Sequence, residues 1–154
     1  MIKLIGSFIL AVTGVILAVS VCRFEQKKLR VTDSFISLLF HIKGQIDCYS
    51  LPLCDIMRNL PSDLELCFKD SERGFEDLLE HSKIYLDTES YRLLQRFYAE
   101  FGSTYREEQL KRCDYYIQAL GEERRKLSET APIRVRMNSI LCLCCALGVA
   151  VVLW

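Results

Sequence analysis

The sequence predicts an all-α protein, a membrane hairpin whose two terminal helices flank a polar bundle of about six helices. Three observations predict it. Leu4–Cys22 and Met137–Trp154 carry no charged side chain, and all 20 acidic residues and 19 of the 20 basic ones lie between Arg23 and Arg136. Apolar residues in that middle recur at steps of three and four, the spacing of a helix face. No window shows the sustained alternation that a half-buried strand requires. The implied divisions are residues 1–22, 23–136 and 137–154, with one soluble domain of a size that can bury a real core.

The first apolar segment would extend roughly 28 Å as a helix and the last roughly 27 Å, each close to the thickness of a bilayer's hydrocarbon core. Small residues at Ser7, Ala11, Gly14 and Ala18 share one face of the first, and Cys142, Ala146 and Ala150 share one face of the second. Such stripes let membrane helices approach closely. Arg23, Lys27, Lys28 and Arg30 follow the first span, and Arg124, Arg125, Lys126, Arg134 and Arg136 precede the second. Basic residues beside spans stay on the cytoplasmic side, which puts the middle in the cytoplasm and both termini across the membrane. A different reading of the first segment is a signal peptide cleaved after Ser20, releasing a secreted helical domain.

Within the middle, Phe35, Leu39, Ile42, Ile46 and Tyr49 line one face of a helix over Val31–Tyr49. Ser50-Leu51-Pro52 ends it, because the residue before a proline is biased away from helix. Leu53, Ile56, Met57 and Leu60 mark a short second helix. Pro61-Ser62 breaks again, and Ser62 with Glu65 reads as a capping box for a brief third. A fourth covers roughly Ser71–Ser82, with Phe75, Leu78 and Leu79 inward. Asp87 is the expected N-cap of the fifth, where Leu93, Leu94, Phe97 and Phe101 line a face that Gly102 closes. Thr104 and Glu107 form a second capping box before a sixth helix of about 25 residues, marked by Leu110, Cys113, Ile117, Leu120 and Leu127. Pro132 is expected to kink or break the chain between this helix and the last span.

Composition excludes several functions. A near-neutral, mixed-charge middle lacks the one-sided basic surface of a nucleic-acid binder. There is no glycine-rich phosphate loop, no Gly-x-Ser-x-Gly elbow and no His-Glu-x-x-His, so no catalytic residue is assigned and the chain is expected not to be an enzyme. The eight cysteines are scattered, and neither His41 nor His81 stands at ligand spacing from one, so no metal or cofactor site is expected. Free, buried thiols in a reducing compartment account for most of them. The alternative is a membrane-bound redox or metal protein using Cys142, Cys144 and Cys145. Seven tyrosines and eight phenylalanines remain; Tyr115-Tyr116 and Phe97-Tyr98 exceed what one core face needs and are candidates for a docking surface.

Four segments carry a resemblance. They are the opening Met1-Ile2-Lys3-Leu4-Ile5-Gly6, the run from Ile46 and Tyr49 into Pro52-Leu53, Phe101-Gly102 with Gln109 seven residues later, and the closing apolar tail with Gly148. In order, spacing and total length the chain resembles the stage III sporulation protein AB family of endospore-forming bacteria. That family often has Leu-Gly shortly after Phe-Gly, where this chain has Thr104-Tyr105. The resemblance implies a fold like the cytoplasmic helical domains of the type II secretion and type IV pilus platform proteins. It implies a place in the mother-cell-to-forespore channel complex. The implied partner is that complex's cytoplasmic secretion-type ATPase, the AA protein, alongside other membrane proteins of the channel, with ATP chemistry left to the partner.

Overall fold

The computed structural model describes residues 2–49, 53–58, 74–102 and 105–152, without the side chains of residues 2–11, 49, 54, 58, 142, 143, 145–147 and 149–152. These residues form five helices: α1 (Ile2–Tyr49), α2 (Leu53–Arg58), α3 (Phe75–Ser82), α4 (Thr88–Glu100) and α5 (Arg106–Val152). Among the described residues there is no strand, so the protein is all-α as its periodicity requires.

The chain divides into two compact units, Lys28–Lys126 and a second made of Met1–Lys27 with Leu127–Trp154. In the first, the core is the stripe that the sequence spacing marks. Phe35, Leu39, Ile42 and Leu94 are fully buried, and Ile46, Ile56, Phe75, Leu78, Leu79, Phe97, Cys113 and Leu120 nearly so. Leu38, Leu86 and Tyr116 join the same cluster from outside the predicted stripe. Phe75 is a hub, meeting Phe35 edge-on at 6.3 Å, Phe97 at 5.8 Å and Tyr98 in a stacked pair at 5.6 Å. Aromatic pairs at these separations add to the area they bury.

α1 and α5 run antiparallel in this unit. Asp33 pairs with Arg124, Lys43 with Asp114 and Asp47 with Arg106, so partners descend along α5 as they ascend along α1. The Arg124 guanidinium grips Asp33 with two bonds, of 2.8 and 3.2 Å. All six side chains are substantially exposed, so these pairs set register more than they stabilise.

The second unit is described by its two helical stretches. Val12, Val15, Ile16, Leu17, Val19 and Phe24 on α1 and Ile133, Met137, Ile140 and Leu141 on α5 are exposed, while Leu127 and Ala131 are buried. Among the described residues no helix is long and apolar enough to cross a membrane. Much of the two expected spans, residues 4–11 and the end of 137–154, lies outside the described side chains.

Several boundaries differ from expectation. The segment expected to be the first span and the helix expected over Val31–Tyr49 are one continuous α1, because Arg23 to Arg30 contains neither glycine nor proline to stop propagation. Hydroxyls along it turn back on the helix: Ser20 donates to the Ile16 carbonyl, Thr32 to Lys28 and Ser34 to Arg30. The helix is likewise unbroken at Pro132, inside α5. The proline has no N–H to donate, so it forfeits one backbone bond there at a cost of about 3 kcal/mol. α3 begins at Phe75 rather than Ser71; Gly74, at φ 141, occupies backbone that other residues rarely adopt. The predicted third helix with its Ser62–Glu65 box, and Thr104 of the second box, lie outside the described residues.

Candidate docking site

α4 starts where the sequence places it. Asp87 is the N-cap in extended geometry, its carbonyl accepting the Tyr91 N–H at 2.9 Å, although its carboxylate makes no capping bond. The helix stops at Glu100. Phe101 leaves it at φ −66 and ψ 135, and Gly102 follows at φ 78, the left-handed conformation that ends helices at glycine. A Cβ on Gly102 would meet nothing within 4 Å, so glycine is required there by backbone angle rather than by space. The chain reverses, and the Tyr105 carbonyl takes the N–H groups of Glu108 and Gln109 at 3.0 Å to open α5.

This reversal brings α4 and α5 together through both aromatic and charged contacts. Phe97 meets Phe101 at 5.4 Å and Tyr116 at 5.5 Å. The Tyr116 hydroxyl donates to Glu100 at 3.0 Å. Arg112 bridges Glu100 at 3.4 Å and Glu108 at 3.0 Å. Phe101 and Gln109 line the same small pocket, closed by Phe97, Cys113 and Tyr116. Next to it lies an open groove of about 410 Å³ bordered by Leu93, Arg96, Lys111, Arg112 and Tyr115.

The two motif segments of the sequence also meet. Arg106 donates to both the Asp47 carboxylate, at 3.0 Å, and the Asp47 backbone carbonyl. That contact ties the first turn of α5 to the last turn of α1, where Ile46 is buried. Leu53 packs on the same core from α2. The Tyr49 side chain and all of Pro52 lie outside the described residues. Sequence spacing held no signal for the Arg106–Asp47 or Tyr116–Glu100 pairs, whose members are 59 and 16 residues apart.

The buried polar groups here are held protonated. Burial, and then the bond to Glu100, pushes the Tyr116 phenol up to about 12. Burial also raises the Cys113 thiol to about 11, with Asp114 adding to the effect and Lys43 opposing it. A thiol so held is a poor nucleophile at neutral pH. The arrangement offers recognition through aromatic rings, a guanidinium and exposed cations.

The remaining candidates separate. Of the small-residue faces, Gly14 and Ala18 are half-buried, whereas the side chains of Ser7, Ala11, Cys142, Ala146 and Ala150 lie outside the described residues. The expectation of buried thiols is corrected in part: Cys113 is buried, but Cys48 and Cys144 are exposed and Cys22 is half-buried. Cys48 falls on the outer face of α1, two positions past the Ile46 stripe. The aromatic pairs also split. Phe97 and Tyr116 belong to the core, while Tyr98 and Tyr115 face outward. His41 is half-buried with a partnerless Nε2, and His81 is exposed, its Nδ1 3.0 Å from the Asp77 carbonyl. Among the described residues no cluster of His, Cys, Asp or Glu could hold a metal ion.

A family model, stage III sporulation protein AB, matches residues 69–154. The match takes in α3, α4, the Phe101-Gly102 turn, Gln109 and all of α5. No curated protein and no solved structure matches the chain.

Proposed function

The chain belongs to the stage III sporulation protein AB family, and from that premise we propose that it is a non-catalytic membrane platform docking a cytoplasmic secretion-type ATPase in the sporulation channel complex. The family assigns it a role in sporulation. The platform is a two-span hairpin with its helical domain in the mother-cell cytoplasm and both termini across the membrane. It presents helical surface to the AA-type ATPase and to other membrane proteins of the channel, and ATP chemistry belongs to that partner.

The family match over more than half of the chain carries this reading. It is supported by the exposed apolar side chains on both long helices, which water does not satisfy and lipid would. It is supported also by the clusters of Lys and Arg beside them. The α4–α5 end adds a surface of exposed aromatic and charged residues of the kind protein interfaces favour.

The test is co-purification of the detergent-solubilised full chain with the AA-type ATPase, together with deletion of its gene. A stable complex and a block in spore formation are expected. Absence of a complex together with normal sporulation would sink the reading. Orientation is read by maleimide labelling at exposed Cys48 from each side of the membrane. Reaction only after the cell is opened is expected, and buried Cys113 should stay unmodified under native conditions.

A further inference from the structure

Resting on that reading, we propose that the groove between α4 and α5 receives an acidic segment of the partner ATPase, with Tyr115 as the apolar anchor and Arg96 and Lys111 as carboxylate ligands. The occupant follows from the balance of charge. The groove's two carboxylates, Glu100 and Glu108, are both committed to Arg112, and Glu100 also holds the Tyr116 hydroxyl. Arg96 and Lys111 line the same groove, and neither takes part in the ion pairs that hold its two carboxylates. The groove's three cations, Arg96, Lys111 and Arg112, exceed its two carboxylates by one charge, with Arg96 and Lys111 standing outside the Arg112 pairs, and a segment carrying a carboxylate is the complement.

The anchor is pre-organised. Tyr115 is 62% exposed, yet its ring rests edge-on against Tyr116 at 5.2 Å. Tyr116 is itself fixed by Phe97 and Glu100. A tyrosine has few side-chain torsions to lose, and a supported ring loses less on binding than a free one. Exposed Tyr beside Arg is the composition in which binding energy concentrates. The opening suits an extended segment rather than an enclosed small molecule.

The experiment measures ATPase binding to the full chain in detergent and in nanodiscs. Variants are Tyr115→Ala, Tyr115→Phe and the double change Arg96→Glu with Lys111→Glu. Tyr115→Ala and the double change should each weaken binding by about 30-fold, the loss expected for an interface hot spot, while Tyr115→Phe stays within about threefold of wild type. Wild-type binding should weaken as salt rises, and the charge-reversed variant should lose most of that dependence. All three positions are solvent-facing, so circular dichroism and thermal melting should match wild type, which separates lost recognition from lost fold. Wild-type affinity in the charge-reversed variant overturns this face while leaving the platform reading standing. Failure of the wild-type chain to bind the ATPase at all overturns both. A loss confined to nanodiscs containing phosphatidylglycerol, absent in neutral detergent, assigns the cations to lipid and overturns the proposal.

Discussion

Along α1, Phe35, Leu38, Leu39 and Ile42 are fully buried, while Val15, Ile16 and Leu17 on the same helix are more than half exposed. α5 repeats the contrast, with Cys113 and Leu120 inside and Ile133, Met137 and Leu141 outside. The side chains are of similar apolarity in both halves of each helix. What differs is company: in Lys28–Lys126 the stretches between the long helices fold back as α3 and α4 and remove the stripe from water. Among the described residues, no such element belongs to the other unit. An apolar side chain left in water forgoes about 1.5–3 kcal/mol, which is why the platform reading proposed above places lipid against the exposed half.

The largest effect should come from removing what the buried half rests on. Phe75→Ala deletes the ring that meets Phe35, Phe97 and Tyr98, and should cost about 3–5 kcal/mol, read by denaturant titration of the full chain in detergent. A cost below 1 kcal/mol would mean that the core does not depend on α3. Next is the exposed half. Ile16→Arg should impair membrane insertion by about 2.5–3.5 kcal/mol, measured as a shift from the membrane to the soluble or degraded fraction, without altering the helical domain. Unchanged membrane partition would equate this half with ordinary solvated surface.

Alkaline pH probes the buried polar groups. Cys113 and Tyr116 both titrate above their ordinary values of 9.0 and 10.0. Raised folded values mean that each lends stability in full below its unfolded pKa and loses it as pH rises through the folded one. Stability should therefore decline between about pH 9 and 12, and Tyr116→Phe should flatten the upper part of that decline. A profile that is the same in the variant would remove Tyr116 from the account. The smallest effect belongs to the seam between α1 and α5. A double-mutant cycle of Asp33→Asn and Arg124→Gln should return a coupling of about 0.5 kcal/mol that fades with salt. A coupling several times larger would make ion pairs, rather than the apolar stripe, what distinguishes the buried half.

The stripe of Phe35, Leu39, Ile42 and Ile46, the N-cap at Asp87 and the stop at Gly102 were legible because each is local: spacing, cap chemistry and a backbone angle set them within one or two turns. The pairs that assemble the candidate site were not. Nothing near Arg106 announces Asp47, and nothing in Tyr115-Tyr116 tells which ring turns inward. The helix end before Gly102 was legible because a glycine enforced it, whereas Cys22 and Pro132 were illegible as boundaries because the helix simply propagates through them.

By itself the sequence determined that the protein is helical, which faces of its helices are apolar, that its charge lies between two charge-free ends, and that its motifs resemble one sporulation family. These are properties of short-range periodicity and composition. Only the tertiary structure decided which aromatic of each pair is core and which is surface, that the two motif segments meet through Arg106 and Asp47, and that Arg112 bridges both acids of the groove that Arg96 and Lys111 also line. Those outcomes depend on contacts between residues distant in the chain, and the free energy that selects them exists only once the helices have packed.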